Sequence, residues 1–311
     1  MRRIRVIFEK TLRDLFSVKR TGIFLGAAVI VPLILAIMTE DVFGLAEMTL
    51  DSQTSFLSSL FLIVCFVWVA GLPLFLLTVG SCASFISGEV NKGTMLLLVS
   101  KPVKRWEILV GKFLAFLVYA MVIEFAALMA VPYIWSIVYD LSLYVFVRLL
   151  FLVIPVFLYS FFVIMLFASI SSALSALSRN PVKITITLVL LAIFIFFGFS
   201  VVRQYTVPSG LYEKYNLYYY DVNYHLGNVY VFVIENIAQK RIAPYMQVPL
   251  AGFTGVYDVN SDFVEMDHGI MIESLPKYSY ASAYESLLLW LIVSVIVIAA
   301  GITYFERKEI M

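Results

Sequence analysis

Six apolar stretches, five without a charged residue and one interrupted only by Glu124, constrain this chain more than anything else in it. They cover residues 21–39, 52–88, 113–139, 149–178, 184–202 and 286–305. About 20 apolar residues cross a hydrocarbon core of about 30 Å, so each stretch is long enough for one crossing. A water-soluble globule of this size could not hide so much apolar surface. The composition agrees: 62% of residues are hydrophobic and 14% charged, where a soluble domain carries about 25% charged residues. A soluble enzyme, a disordered chain and a secreted disulfide scaffold are thereby excluded. Lys plus Arg (22) and Asp plus Glu (21) nearly cancel, so net charge indicates no nucleic-acid partner. Cys65 and Cys82 lie in one apolar stretch and imply no disulfide framework. The sequence predicts an all-α polytopic membrane protein with six transmembrane helices and the lipid bilayer as its first partner.

The stretch 52–88 has 37 residues, about 55 Å if wholly helical. That is too long for one crossing and too short for two with a turn. It reads as one helix, broken near Gly71–Pro73 and projecting into water at one end; Pro155 is a second kink site, in the fourth span. Basic residues set the orientation. Arg2, Arg3, Arg5, Lys10, Arg13, Lys19 and Arg20 precede span one, and Lys92, Lys101, Lys104, Arg105 and Lys112 follow span two. Arg179 and Lys183 follow span four, whereas the first loop holds Glu40, Asp41, Glu47 and Asp51 and no cation. This alternation places both termini in the cytoplasm. Residues 1–20 contain Ile4, Ile7, Phe8, Leu12, Leu15 and Phe16 at helical spacing, which predicts an amphipathic interfacial helix with its basic face toward anionic headgroups. The organisation expected is therefore 1–20 interfacial helix, 21–202 spans one to five, 203–285 an extracytoplasmic segment, and 286–311 the sixth span with a cytoplasmic tail.

The extracytoplasmic segment holds 13 of the 19 tyrosines, a residue suited to a surface apolar at one end and wet at the other. Leu226, Val229, Tyr230, Val233 and Ile237 predict an amphipathic helix from about 224 to 240. Beyond Pro244 the Gly, Pro and Asp signals predict loops with short strands, and the whole segment reads as a small cap on the outer surface. His225 reads as a surface residue. Asp262, Glu265, Asp267 and His268 read as a solvated loop, so no metal site is assigned.

The most informative stretch is residues 88–112. A short apolar block, Met95–Val99, sits between charged residues, too short to span and too hydrophobic to be left bare. It needs a partner. Gly88 and Gly93 have the G-x-x-x-x-G spacing of a phosphate-binding loop, but Thr94 stands where the lysine must follow, so no nucleotide site is assigned. Glu89, then Gly93-Thr94, the block Met95, Leu96, Leu97, Leu98 and Val99, then Pro102-Val103-Lys104-Arg105 and Gly111-Lys112 together resemble the signature of the ABC-2 type permease family. Lys104 replaces the serine of that family's Pro-Val-Ser-Arg. The amphipathic N-terminus, the six spans, a Ser-rich inner loop at 171–179 and the tail Tyr304–Lys308 extend the resemblance; residues 203–285 carry little of it.

The resemblance implies a non-catalytic membrane subunit driven by a separate ABC ATPase subunit, which would bind the ATP. It implies that the loop 88–112 carries the coupling helix docking on that ATPase, through Glu89, Gly93, Thr94, Met95, Leu96, Leu97, Leu98, Pro102 and Arg105. It further implies pairing with a second permease subunit, identical or related, a plasma-membrane location and export. No catalytic, cofactor or metal residue is assigned. Glu124, at mid-depth in span three, is either a polar site on a pathway or a structural acid hydrogen-bonded to a neighbouring Ser or Tyr. An ion- or proton-coupled carrier and a non-transporting scaffold are the competing readings. An intramembrane protease is not, because His225 and His268 both lie outside the spans and leave no base there.

Overall fold

The computed structural model describes residues 2–39, 45–94, 103–259, 264–265, 271–272 and 274–307. Within these the chain forms α1 (Arg2–Leu15), α2 (Val18–Thr39), α3 (Leu50–Val64), α4 (Leu72–Cys82), α5 (Ser87–Asn91), α6 (Arg105–Val138), α7 (Leu143–Leu177), α8 (Pro181–Thr206), α9 (Leu211–Lys214), α10 (Val222–Ile237), α11 (Pro244–Thr254) and α12 (Ala283–Arg307). A two-residue antiparallel pairing joins β1 (Val264–Glu265) to β2 (Met271–Ile272), in the register Val264↔Ile272. Six of the segments are long and apolar enough to cross a membrane: α2, α3–α4 as one interrupted span, α6, α7, α8 and α12. The chain is an all-α multi-pass membrane protein of six spans, as its charge-free stretches require.

Several starts have local causes. Thr49 caps α3, its hydroxyl accepting from Ser52 N at 3.3 Å. Asn180 accepts from Val182 N and Lys183 N, with Pro181 opening α8 where a missing N–H costs nothing. Span two breaks as expected, by a specific device. A π-turn, Cys65–Val69, follows α3, and the chain restarts at Leu72 after Gly71. A Cβ on Gly71 would lie 2.1 Å from Val67 O, so only glycine permits the break. The break is stitched to its neighbours: Trp68 Nε1 donates to Ala27 O in α2 at 2.8 Å, and the Tyr230 hydroxyl of α10 donates to Leu62 O at 2.6 Å.

α7 is the central post, packing against α3, α4, α6, α8, α10 and α12. Its contact with α12 is close because Gly301 lacks a side chain; a Cβ there would fall 2.7 Å from Ala173 Cα. The serine-rich stretch 171–179, expected as a loop, is instead helical through Leu177. Two of these serines find main-chain partners on neighbouring segments. Ser171 Oγ donates to Val79 O in α4 at 3.0 Å, and Ser175 Oγ accepts from Ile86 N at 2.7 Å.

α1 runs beside the first half of α6. Ile7 packs over Gly111, where a Cβ would be 3.0 Å from Ile7 Cγ2, and Phe16 meets Tyr119 edge-on with centroids 4.9 Å apart. The apolar stripe of this amphipathic helix is thus partly covered by protein, while Arg3, Arg5, Lys10 and Arg13 remain exposed.

The segment between spans five and six is built more deeply into the bundle than a surface cap. α10 is wedged among α7, α8, α11 and α12. His225, expected at the surface, is buried; Nε2 faces Tyr219 O at 3.3 Å and Nδ1 faces Ser286 Oγ at 2.9 Å. Burial holds this imidazole below its usual range, so it is neutral at pH 7. The carbonyl fixes the proton on Nε2, and Ser286 donates to Nδ1. α11 occupies part of what was expected as loop. Arg203 at the end of α8 and Asp221, both buried, pair at 2.5 Å. Asp221 also caps α10 through Asn223 N (3.0 Å) and Tyr224 N (3.1 Å) and accepts from the Tyr212 hydroxyl (2.8 Å).

Gly71→Ala is expected to lower the thermal unfolding midpoint of the detergent-solubilised protein, since forcing a side chain into the break strains it by about 1–3 kcal/mol. Intrinsic-fluorescence melting reads this; an unchanged midpoint would show that the break tolerates a side chain.

Candidate functional site

The turn after span two is held from two sides. α5 begins where Ser175 Oγ of α7 accepts from Ile86 N and, at 3.3 Å, from Ser87 N, so a side chain from span four caps a helix in the loop. From α6, Lys112 reaches across to the same turn. Its ammonium donates to Phe85 O at 2.7 Å and to Glu89 Oε1 at 2.8 Å. The other Glu89 oxygen accepts from the Thr94 hydroxyl. Gly93, at φ +71°, ends α5 in the left-handed conformation that suits glycine. Glu89, Gly93 and Thr94 therefore form one compact turn, closed by Lys112.

The far end of the loop is held by span six. Arg105, in the first turn of α6, donates to Phe305 O at 3.0 Å and Glu306 O at 3.3 Å, placing a cation at the C-terminal carbonyls of α12. Its guanidinium also lies 5.8 Å from the Phe305 ring centroid. Glu107 accepts from Lys104 N at 2.9 Å, capping α6. Met95, Leu96, Leu97, Leu98, Val99 and Pro102 lie outside the described residues. Of the loop residues singled out in the sequence, Glu89, Gly93 and Thr94 come together, while Arg105 stands apart at the other anchor. Lys112 and Ser175 were missed as site residues. The Gly111-Lys112 element was the available signal: glycine admits α1 and lysine closes the turn.

Burial pushes the Glu89 carboxyl up, but hydrogen bonds from Lys112 and Thr94 and the charges of Lys112 and Lys10 outweigh it and hold the group below its ordinary value. A carboxyl depressed by folding adds stability that is fully present above its ordinary range and is lost as pH falls through the lowered value. Amide protons of residues 86–94 are therefore expected to be protected from hydrogen exchange at neutral pH and to lose protection on acidification below the normal carboxylate range. Lys112→Met, which leaves a desolvated carboxylate without its cation, is expected to deprotect the turn more than Glu89→Gln, whose amide oxygen still accepts from Lys112. Equal protection in both variants and the parent would refute the role of the pair.

Glu124 is fully buried in α6. Ser160 Oγ of α7 lies 3.1 Å from its Oε1 and 3.0 Å from Val156 O, while Oε2 has no hydrogen-bond partner. A hydroxyl has one proton for two acceptors, so both contacts are satisfied when a protonated Glu124 donates to Ser160 and Ser160 donates to Val156 O. Ser160 adjoins Tyr159 in α7, and Tyr159 and Tyr230 both pack on Phe66 of the π-turn, with ring centroids 5.8 and 4.8 Å away. The side chain faces the bundle interior, next to the break in span two. Glu124→Gln supplies an N–H donor in place of the acid proton and is expected to leave the melting midpoint within about 2 °C, roughly 1.3 kcal/mol for a chain of this size. Glu124→Ala, which opens a cavity and strands Ser160, is expected to lower it by several degrees. A large loss with Gln would mean the carboxylate is ionised and specifically paired.

The family model described as ABC-2 family transporter protein matches residues 5–310, from α1 through the end of α12. No curated protein matches the chain.

Proposed function

The chain belongs to the ABC-2 family of transporter proteins, and we propose that it is the membrane-spanning subunit of an ATP-driven exporter, coupled through residues 88–112 to a separate ABC ATPase that binds and hydrolyses the ATP. The observation that carries this reading is the anchoring of that loop. One end is tied to span four through Ser175 and to span three through Lys112, the other to span six through Arg105. A push delivered to the loop by ATPase closure would reach three spans at once, and the interrupted span two lies directly behind α5. The apolar block Met95–Val99, flanked by Glu89 and Lys92 and by Lys101, Lys104 and Arg105, has the layout of a contact with an apolar centre and a charged rim.

In this reading the loop and both termini are cytoplasmic, in keeping with the excess of Lys and Arg there, and residues 203–285 face outside the plasma membrane. Spans one, five and six leave broad apolar surfaces on the single chain, compatible with pairing to a second permease subunit.

The test is assembly with the ATPase subunit. Leu97→Asp would bury an unpaired charge at the centre of the contact, whereas Lys101→Ala removes a rim charge, which matters less. Leu97→Asp is expected to abolish co-purification of the ATPase and its permease-stimulated ATP hydrolysis, with Lys101→Ala retaining most of both and both variants still inserted. Full assembly and stimulation with Leu97→Asp would remove the loop as the docking surface.

A further inference from the structure

A cleft of about 390 Å³ opens between the start of α3, the first half of α7 and the end of α10. Its walls differ in chemistry. α3 contributes Thr54, Ser55 and Ser58, and α7 contributes Phe151, Ile154 and Pro155, of which Phe151 and Ile154 also face outward from the bundle. Two cations stand at the cleft: Arg148, one turn along α7 from Tyr144, whose ring lies 5.2 Å from the guanidinium carbon, and Lys240, just past α10. Neither makes an ion pair among the described residues. Asp51, the acid on this cleft, pairs with neither and sits instead in the first turn of α3, where the helix N-terminus stabilises a negative charge.

Two further observations make this a built site. Ser58 lines the cleft, is fully buried, and its hydroxyl has no hydrogen-bond partner; such an orphan is expensive unless something in the cleft meets it. The two cations also lie near enough to repel: burial first, and then the charge of Arg148, hold the Lys240 ammonium below its usual value. Holding two like charges together without a counter-charge is unfavourable, and an anion between them removes the penalty.

We propose that this cleft binds an anionic amphiphile, its phosphate held between Arg148 and Lys240, a polar linkage meeting Ser58, and its apolar chain lying along Phe151 and Ile154. A phosphate satisfies both cations, and Arg148 engages its oxygens through a planar fork. The apolar wall, open toward the hydrocarbon, fits a tail and would waste contact with a bare ion. The site stands whether or not the loop 88–112 docks an ATPase.

The test uses the full chain purified in neutral detergent and titrated with phosphatidylglycerol, bound lipid being counted by native mass spectrometry. Diacylglycerol, which lacks the phosphate, and glycerol 3-phosphate, which lacks the tails, serve as comparison arms. Phosphatidylglycerol is expected to bind at least tenfold more tightly than either. Arg148→Gln and Lys240→Gln are each expected to weaken it about tenfold, the size of one charge-assisted hydrogen bond, and Ser58→Ala to weaken it less. Arg148→Lys, which keeps the charge and loses the fork, should bind more tightly than Arg148→Gln and less tightly than the parent, and Arg13→Gln, on exposed α1, should retain all of the binding. Among the described residues neither Arg148 nor Lys240 makes an ion pair, and an unchanged melting midpoint certifies each variant. Undiminished phosphatidylglycerol binding by the Arg148→Gln/Lys240→Gln double variant overturns the site. Equal binding of diacylglycerol overturns the phosphate, and equal binding of glycerol 3-phosphate overturns the amphiphile in favour of a soluble phosphate.

Discussion

Hydrocarbon offers no hydrogen bonds, so a chain that interrupts a helix inside a membrane must supply from its own side chains what water supplies elsewhere. Span two is interrupted at Cys65–Val69, and the supporting contacts are found around it. Trp68 reaches the main chain of α2, Tyr230 reaches Leu62 O, and Trp135 of α6 donates to Pro32 O at 3.0 Å. These donors lie on three different segments of the chain. The position of α10 inside the bundle follows, since a tyrosine that must find Leu62 O cannot sit on a helix resting on the membrane surface. The π-turn, the wedged helix and the buried Glu124 next to them form one polar seam through an otherwise apolar bundle.

On opposite sides of that bundle stand two ion pairs that organise main chain as well as charge. Glu89–Lys112 closes the turn after span two. Arg203–Asp221 fixes the path of the chain after span five: Asp221 starts α10, and Arg203 donates to Phe253 O at 2.9 Å, at the end of α11. The second pair is the more enclosed, and its surroundings are correspondingly exacting. Gly255, at φ +69°, passes so close that a Cβ would lie 2.5 Å from Arg203 Cδ. Breaking a pair this deeply buried would leave an uncompensated charge, which is the costly case.

The spans were legible because six long apolar runs, with Glu124 the one charge among them, admit little else, and the break in span two because 37 residues fit no simple crossing. The π-turn was not legible: Cys-Phe-Val-Trp-Val differs in no local property from the helix around it, and its support comes from residues 27 and 230. α10 was half legible. Its apolar stripe was visible, Tyr230 included, but His225 was read as a surface residue and the hydrogen-bond partners of His225, Asn228 and Tyr230 could not be read, because periodicity reports polarity and says nothing of partners. Those partners, Ser286, Ala281 O and Leu62 O, lie 53 to 168 residues away. In the loop 88–112, resemblance located the turn, but the pairing of Glu89 with Lys112 spans 23 residues and two helices, a relation no local pattern contains.

α12 is the last span of this chain to leave the ribosome, yet much of what precedes it is unfinished without it. Gly301 fills the close contact beside Ala173 of α7, Phe305 and Glu306 offer the carbonyls that Arg105 caps, and Ser286 completes the hydrogen bonding of His225 and Asn228. Since chains emerge N-terminus first, the first five spans must wait in the bilayer with one flank of the central post open and those polar groups unmet. Arrival of the final 25-residue helix closes all three gaps together. A chain stalled before α12 therefore leaves Arg105, His225 and Asn228 without the partners that this helix supplies.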